Sequence, residues 1–599
     1  MLGKSKWLVA VGSLAVVMAG CGSSTSTPST GQRLSGGTAT MALPPSTTPN
    51  YIFPFDNGGD FTVTNTSQFQ YLMWRPLYWF GKNGTVALNT SLSLANAPVY
   101  SNQNKTVTMT LKGWKWSNGK PITSRDVEFW MNIMKAEKTN WGGYVPGDFP
   151  DNVSSVSYPN PTTIVMNLNK AYNPTWFTYN ELSQIIPIPQ SAWDKTSLSG
   201  AIGNWDVTNP TAVYNFLNSQ STSLSTWGTN PLWQTVDGPW KLSSFNATSG
   251  EPVFVRNYSY SGPVTGSISK FIEVPFTSDS AQYNALLTGK LDYGALPVAD
   301  LPQKAHVASL GFTYAPWLTW SITYFPYNFT NPTVGPIFDQ TYMRQAMQTL
   351  INQPAMIKDI FKGTAIPDYG PVPIEPANSF ADKTETQNPF PYSVSAATRL
   401  LTEHGWTVVP NGTSSCTKPG TGAGECGAGI AAGTKLNLTL EYSTGNSTID
   451  QEVAYLKTTW SSVGINLALQ PKPFNTVTAD AAPCQAGHPC NWELADWGGG
   501  WVYSPDYLPT GEDLFATGAV ANYGGYSNST ADQLITATNL SSSSSVFDQY
   551  ENYLTTQLPV VWLPVADYAL SEIKNTLHGV TPQDPLLNIY PENWYFTKG

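Results

Sequence analysis

The stretch Leu111–Lys138, LKGWKWSNGKPITSRDVEFWMNIMKAEK, leaves little freedom to the chain around it. Just before and into it, Val107, Met109 and Leu111 alternate with Thr106, Thr108 and Thr110, which predicts a half-buried strand. Two tryptophans follow, Trp114 and Trp116, and then Ser117-Asn118-Gly119. Asn-Gly tolerates positive φ, so the chain should reverse tightly there. Thr123 and Asp126 have the spacing of a capping box, and Val127, Trp130, Met131 and Met134 then recur as one apolar stripe. The expectation is a strand turned sharply into a helix, both closing over a large aromatic core.

A chain of 599 residues is too long for one such core, so two or three domains are expected. Charged residues make up 12%, about half the usual share, and the net charge is −10. No basic run occurs, which argues against nucleic acid as a partner. A weakly charged surface rich in Ser, Thr and Asn suits an exterior protein in an acidic or harsh medium, where few carboxylates would need to protonate. The 22 Trp and 30 Tyr exceed ordinary usage. They serve equally as core or as stacking faces in a ligand cleft.

The first residues look like a secretory leader. Lys4 and Lys6 precede the apolar run Trp7–Met18, which is too short to span a bilayer. Met18-Ala19-Gly20-Cys21 resembles a bacterial lipobox, so residues 1–20 are expected as signal peptide and Cys21 as the lipidated residue. Residues 21–36, poor in core-forming side chains, would be a flexible tether.

Trp114-x-Trp116-Ser-Asn-Gly-Lys-Pro-Ile-Thr-x-x-Asp126-Val127 resembles a block of the extracellular solute-binding proteins of the peptide/nickel type (family 5), which serve ABC importers. Further blocks follow in family order. They include Gly238-Pro239-Trp240-Lys241-Leu242, Arg344-Gln345-Ala346, Gly370-Pro371-Val372-Pro373 and Asn522-Tyr523-Gly524-Gly525-Tyr526-Ser527-Asn528. The resemblance implies an α/β, periplasmic-binding-protein-like fold. It would have two large lobes, an extra inserted domain (three domains in all) and a hinge of two crossing strands. Domain I would combine residues 37–80, 228–310 and 566–599; domain II would be the insertion 81–227; domain III would be 311–565. Within domain III, Trp317–Asn328 is expected as a crossing strand, Glu441–Asn446 as a loop, and Ile449–Val463 as a helix capped by Gly464.

The resemblance also implies the function: a lipid-anchored binding protein, not an enzyme and without cofactor. It would sit on the outer face of the cytoplasmic membrane, in the periplasm or cell-wall space. As a monomer it would deliver oligopeptides or dipeptides to a membrane permease. The preferred ligand segment is Trp492–Asp513, with Trp497, Gly499, Trp501, Tyr503 and Asp506 as candidates. Three glycines there let backbone approach a ligand. Tyr51 and Phe53 resemble an early segment that runs along the family's cleft, and Trp74 is a further candidate wall. In peptide binders of the family an Asp of the ligand loop holds the peptide amine; here that position falls on Val502. An oligosaccharide on the tryptophan faces is therefore an alternative. A secreted glycosidase is a further one, needing two carboxylates facing each other across a groove.

Cys416 and Cys426 share one Gly-rich insertion, Cys484 and Cys490 another. Local disulfides are the economical assignment in an oxidising exterior, although four cysteines allow three pairings. His306, His404, His488 and His578 form no metal-binding pattern, so no metal is expected. Gly422-x-Gly424-x-x-Gly427 matches a dinucleotide fingerprint but does not lead from a strand into a helix.

Overall fold

The computed structural model describes residues 31–484 and 491–598. Cys21 and the leader lie outside the described residues, as does Cys490.

The opening corner forms as its residues dictate. Thr106–Thr110 is a strand, Gly119 takes φ +85°, and Ser124–Glu137 is a helix closed by a reciprocal Thr123–Asp126 capping box. Trp116, Val127, Trp130, Met131 and Met134 are fully buried. The strand joins Val99–Ser101, Thr163–Leu168 and Val153–Asn160 in a four-stranded antiparallel sheet.

A second, seven-stranded sheet draws on distant parts of the chain. Its order is Phe312–Pro316, Leu570–Lys574, Tyr293–Ala295, Thr38–Ala42, Lys270–Val274, Glu251–Arg256 and Trp240–Asn246. Thr38–Ala42 runs parallel to both of its neighbours, and the other pairs are antiparallel. A third sheet sets Ser321–Pro326 between Gly500–Val502 and Val560–Leu563, all antiparallel. The chain thus crosses from the seven-stranded sheet to this one between Pro316 and Ser321, and returns between Leu563 and Leu570. The two crossings run side by side, because the strands pair with each other both before and after them. This is the α/β binding-protein architecture with its two crossing strands.

Asn437–Ser443, helix Ser447–Ser461 and Asn466–Lys472 form a parallel strand–helix–strand unit, with Leu494–Asp496 on the other side of the first strand. Gly464 takes φ +73° at the helix end, as the sequence demands. Among the described residues no helix is long and apolar enough to cross a membrane.

Several expectations need correcting. Residues 31–36 are not a free tether: the Leu34 amide donates to the Phe596 carbonyl at 2.8 Å, Gly36 donates to Ser267, and the Arg33 guanidinium stacks on Tyr595. Glu441–Ser443 is not loop but the end of a strand, because Leu438 and Leu440 continue the alternation into it. Trp317–Asn328 is not one strand either. The chain jogs at Trp317–Trp320, where the Trp317 indole donates to the Asp584 carbonyl and the Trp320 indole to Tyr507. Cys416 and Cys426 are disulfide-bonded. The pairing of Cys484 with Cys490 falls on a residue outside those described. The glycine fingerprint lies beside that first disulfide, where Gly420 and Gly427 bridge each other without any helix.

Candidate functional site

A cavity of about 350 Å³ opens where the crossings meet the seven-stranded sheet. Its wall is assembled from the loop Gly59–Gln68, the jog Trp317–Thr323, the start of helix Ser447–Ser461, the loop Trp497–Ser504 and the return Pro564–Leu570. Rings and hydroxyls dominate the wall. The rings include those of Phe61, Trp317, Trp497, Trp501, Tyr523 and Tyr568. The Thr319 and Ser321 hydroxyls bond each other at 2.7 Å.

The glycine run Gly498–Gly500 is explained position by position. Gly498 takes φ +82°, and its amide donates to Asp496 Oδ1 at 2.8 Å. A Cβ on Gly500 would lie 2.0 Å from the Ile322 carbonyl oxygen, so close strand pairing demands glycine there. Only at Gly499 would a Cβ meet nothing. Gly500 thus serves the sheet, and Gly499 is the position where backbone stands open on the cavity.

Trp497 is half-buried, held edge-on by Tyr324 and Tyr523 with ring centroids 5.7 and 5.9 Å away. Trp501 lies edge-on to Phe61 at 5.6 Å, and its indole donates to Asp506 Oδ2 at 2.9 Å. Such fixed rings are pre-positioned to stack on a ligand.

The structure brings Trp497, Gly499 and Trp501 together on the cavity wall and places the other sequence candidates elsewhere. Tyr503 points away into the core, where its hydroxyl donates to the Pro371 carbonyl at 2.5 Å. Asp506 is buried behind Trp501, positioning the indole. Tyr51 bonds Asn218 at 2.8 Å. Phe53 packs on Phe55 and Trp193, and Trp74 lies edge-on to Trp193 and Trp233 at 5.4 and 6.2 Å. All three are fully buried and absent from the cavity wall, because an aromatic core uses the same side chains as a cleft.

Three wall carboxylates went unsuspected: Asp279, Glu452 and Asp567. The signal for Glu452 existed. It falls on the helix face defined by Ile449 and Val453, where an acidic residue has no structural reason to sit. Asp279 accepts from the Ser447 amide and hydroxyl at 2.9 and 3.2 Å. Burial pushes the Asp567 carboxyl up to about 6. Burial, and then the neighbouring Asp496, hold the Glu452 carboxyl well above the usual range. Val502 lines the cavity with an apolar side chain.

Behind the wall runs a seam between residues 174–184 and 505–513. Glu512 Oε1 accepts from the Trp176 indole at 2.8 Å and from Asn180 Nδ2 at 2.7 Å. The Leu508 amide donates to Asn180 Oδ1 at 2.8 Å. The Ser183 hydroxyl donates to the Pro505 carbonyl, and Asn152 donates to Glu181. Burial raises the carboxyls of Asp148, Glu181, Asp506, Glu512 and Asp513.

Comparison with known proteins bears on the family and the fold. The model of the bacterial extracellular solute-binding proteins, family 5, matches residues 90–511. Protein XP55 of Streptomyces lividans is 25% identical over 400 residues, 63% of this chain and 61% of its own. The match therefore spans under two thirds of that relative's length. The oligopeptide-binding protein AppA of Bacillus subtilis, solved with a nonapeptide, superposes with a TM-score of 0.72 at 17% identity, over 95% of this chain and 100% of its own. NikZ of Campylobacter jejuni, solved with Ni(L-His), gives 0.68 at 16%, over 93% and 99%. At such identities these likenesses speak for the fold alone.

Proposed function

Since the chain belongs to family 5 of the bacterial extracellular solute-binding proteins, we propose that it captures oligopeptides outside the cell and hands them to the membrane permease of an ABC importer. The carrying observation is the cavity itself. It is walled jointly by the seven-stranded sheet, the two crossings and the Trp497–Ser504 loop. A ligand there touches both sides of the crossings, so it favours the closed arrangement by its differential affinity for it. The open space at Gly499 lets an extended peptide come close to the chain there, and the rings offer side-chain pockets. Cys21 would carry the lipid that keeps the protein beside its permease. Several acyl chains on that one cysteine would hold it to the outer face of the cytoplasmic membrane.

A second reading, an oligosaccharide ligand, is favoured by the same fixed tryptophans and by the hydroxyls of Thr319 and Ser321. Native mass spectrometry of gently purified protein, with fragmentation of whatever it retains, separates the two. A retained peptide mixture is expected. A ladder of hexose masses would move the function to sugar uptake.

A further inference from the structure

The cavity wall carries carboxylates and, among the described residues, no lysine, arginine or histidine. The three carboxylates are not equivalent. Asp279 is engaged by the amide and hydroxyl of Ser447, at the start of the helix. Asp567 is half-buried at the return crossing. Glu452 is only 6% exposed, lines the cavity, and forms no hydrogen bond or ion pair with any described residue. The charged group that acts on it is another acid, Asp496, whose Oδ1 accepts from Gly498 and whose Oδ2 is buried without a partner.

An acid pair buried without a cation is unfavourable for the protein alone, and this helix face asks for an apolar residue. Some buried acids of the fold take a cation from the chain, while others, such as Glu273 away from the cavity, take none. Glu441, one strand away, is buried against Lys472, and Arg75 meets Glu592. Glu452 has no such partner from the chain.

We infer that Glu452 receives a cationic group of the ligand, an ammonium or a guanidinium, so that the site selects positively charged peptides and rejects anionic ones. This rests on the peptide reading given above. A cation there would sit in a cavity whose wall also carries the rings of Trp497 and Trp501, which attract positive charge through their faces. A ligand carboxylate would meet no cation anywhere on the described wall to offset its desolvation.

The test uses the full chain and a mixed-sequence tetrapeptide library built from uncharged residues. The library is prepared in three end-forms: free amine with amidated carboxyl, acetylated with amidated carboxyl, and acetylated with free carboxyl. Apparent affinities are read from ligand-dependent thermal shifts. The cationic form is expected to bind roughly thirty-fold more tightly than the neutral form, with the anionic form weakest. Glu452→Gln, which keeps the shape, is expected to remove most of the gap between cationic and neutral forms while leaving neutral binding in place. Equal binding of the cationic and neutral forms to the unaltered protein overturns the inference and leaves the peptide reading standing. So does a gap that Glu452→Gln leaves intact. Binding of none of the three forms, with binding of a maltooligosaccharide instead, overturns the peptide reading and the inference with it.

Discussion

The seam at residues 174–184 and 505–513 and the wall of the cavity both bury carboxyl groups, but they hold them differently. In the seam, Glu512 takes the N–H groups of Trp176 and Asn180, and Glu181 takes Asn152. Neutral donors from the chain itself reach Asp148, Glu181, Asp506 and Glu512, and none of the five seam acids enters an ion pair among the described residues. On the cavity wall, Glu452 has no donor at all. Burial raises both sets, so desolvation alone does not tell them apart. Hydrogen bonding does. A buried acid surrounded by donors holds two segments together. A buried acid without them that also lines a cavity is open to something other than the chain, unlike Glu273, which is equally without partners but lies away from the cavity wall.

The sharpest way to break this contrast is Glu512→Ala. It leaves the Trp176 indole without an acceptor and removes one from Asn180, and both are buried. An unsatisfied buried donor costs about 1–3 kcal/mol, so a loss of about 2–4 kcal/mol is expected in a denaturant titration. Glu512→Gln keeps an acceptor oxygen and should cost about 1 kcal/mol or less. If Glu512→Ala unfolds at the unaltered midpoint, the seam is not a structural bond and the contrast collapses.

The next effect is a dependence on pH. Burial pushes Asp237 up to about 8, Asp148 up to about 7 and Asp584 up to about 6, against an ordinary value of 3.8. Folded values above unfolded ones mean that the folded state binds these protons more tightly. Their stabilising contribution is full below about pH 4 and is lost as pH rises through 6 to 8. Asp206, lowered by its Arg125 hydrogen bonds despite burial, works the other way. It is outnumbered. The melting temperature is therefore expected to fall by a few degrees between about pH 5 and pH 8. A melting temperature that rises across this range would remove the physical basis for expecting an acidic habitat from the composition.

How much of this was legible in the sequence follows the same division. The corner at Thr106–Glu137 could be read because strand period, Asn-Gly reversal and capping box agree with one another, and the structure contains all three. Helix Ser447–Ser461 and its Gly464 end were readable for the same reason. The wall was not. Tyr51, Phe53 and Trp74 are chemically the same kind of residue as Trp497 and Trp501, and only the fold puts the first three in the core. Gly500 looked like a ligand-facing glycine, but the Ile322 carbonyl, distant in sequence, is what requires it. Asp567 follows a crossing strand with no local pattern to mark it. Glu452 alone carried a signal, as an acid breaking an apolar stripe, and it goes unnoticed when the stripe is read only for the residues that fit.

The smallest effect is the most discriminating. Glu452→Gln, measured without ligand, should raise the unfolding free energy by up to about 1 kcal/mol near pH 8 and change little near pH 5. The sign follows from the surroundings. Asp496 on the neighbouring strand is the charged group acting on Glu452, and the cavity wall that Glu452 shares with Asp279, Asp567, Tyr293, Tyr523 and Tyr568 carries no lysine, arginine or histidine among the described residues. At pH 5 the raised carboxyl keeps its proton and resembles glutamine, so the substitution exchanges like for like. At pH 8 the unaltered side chain either ionises beside Asp496 or holds its proton against the solvent, and glutamine does neither. A structural acid like Glu512 would show the opposite, with its glutamine variant never more stable than the parent. If Glu452→Gln destabilises the ligand-free protein at both pH values, Glu452 belongs with the seam, and the cavity loses the one group that distinguishes it from packed interior.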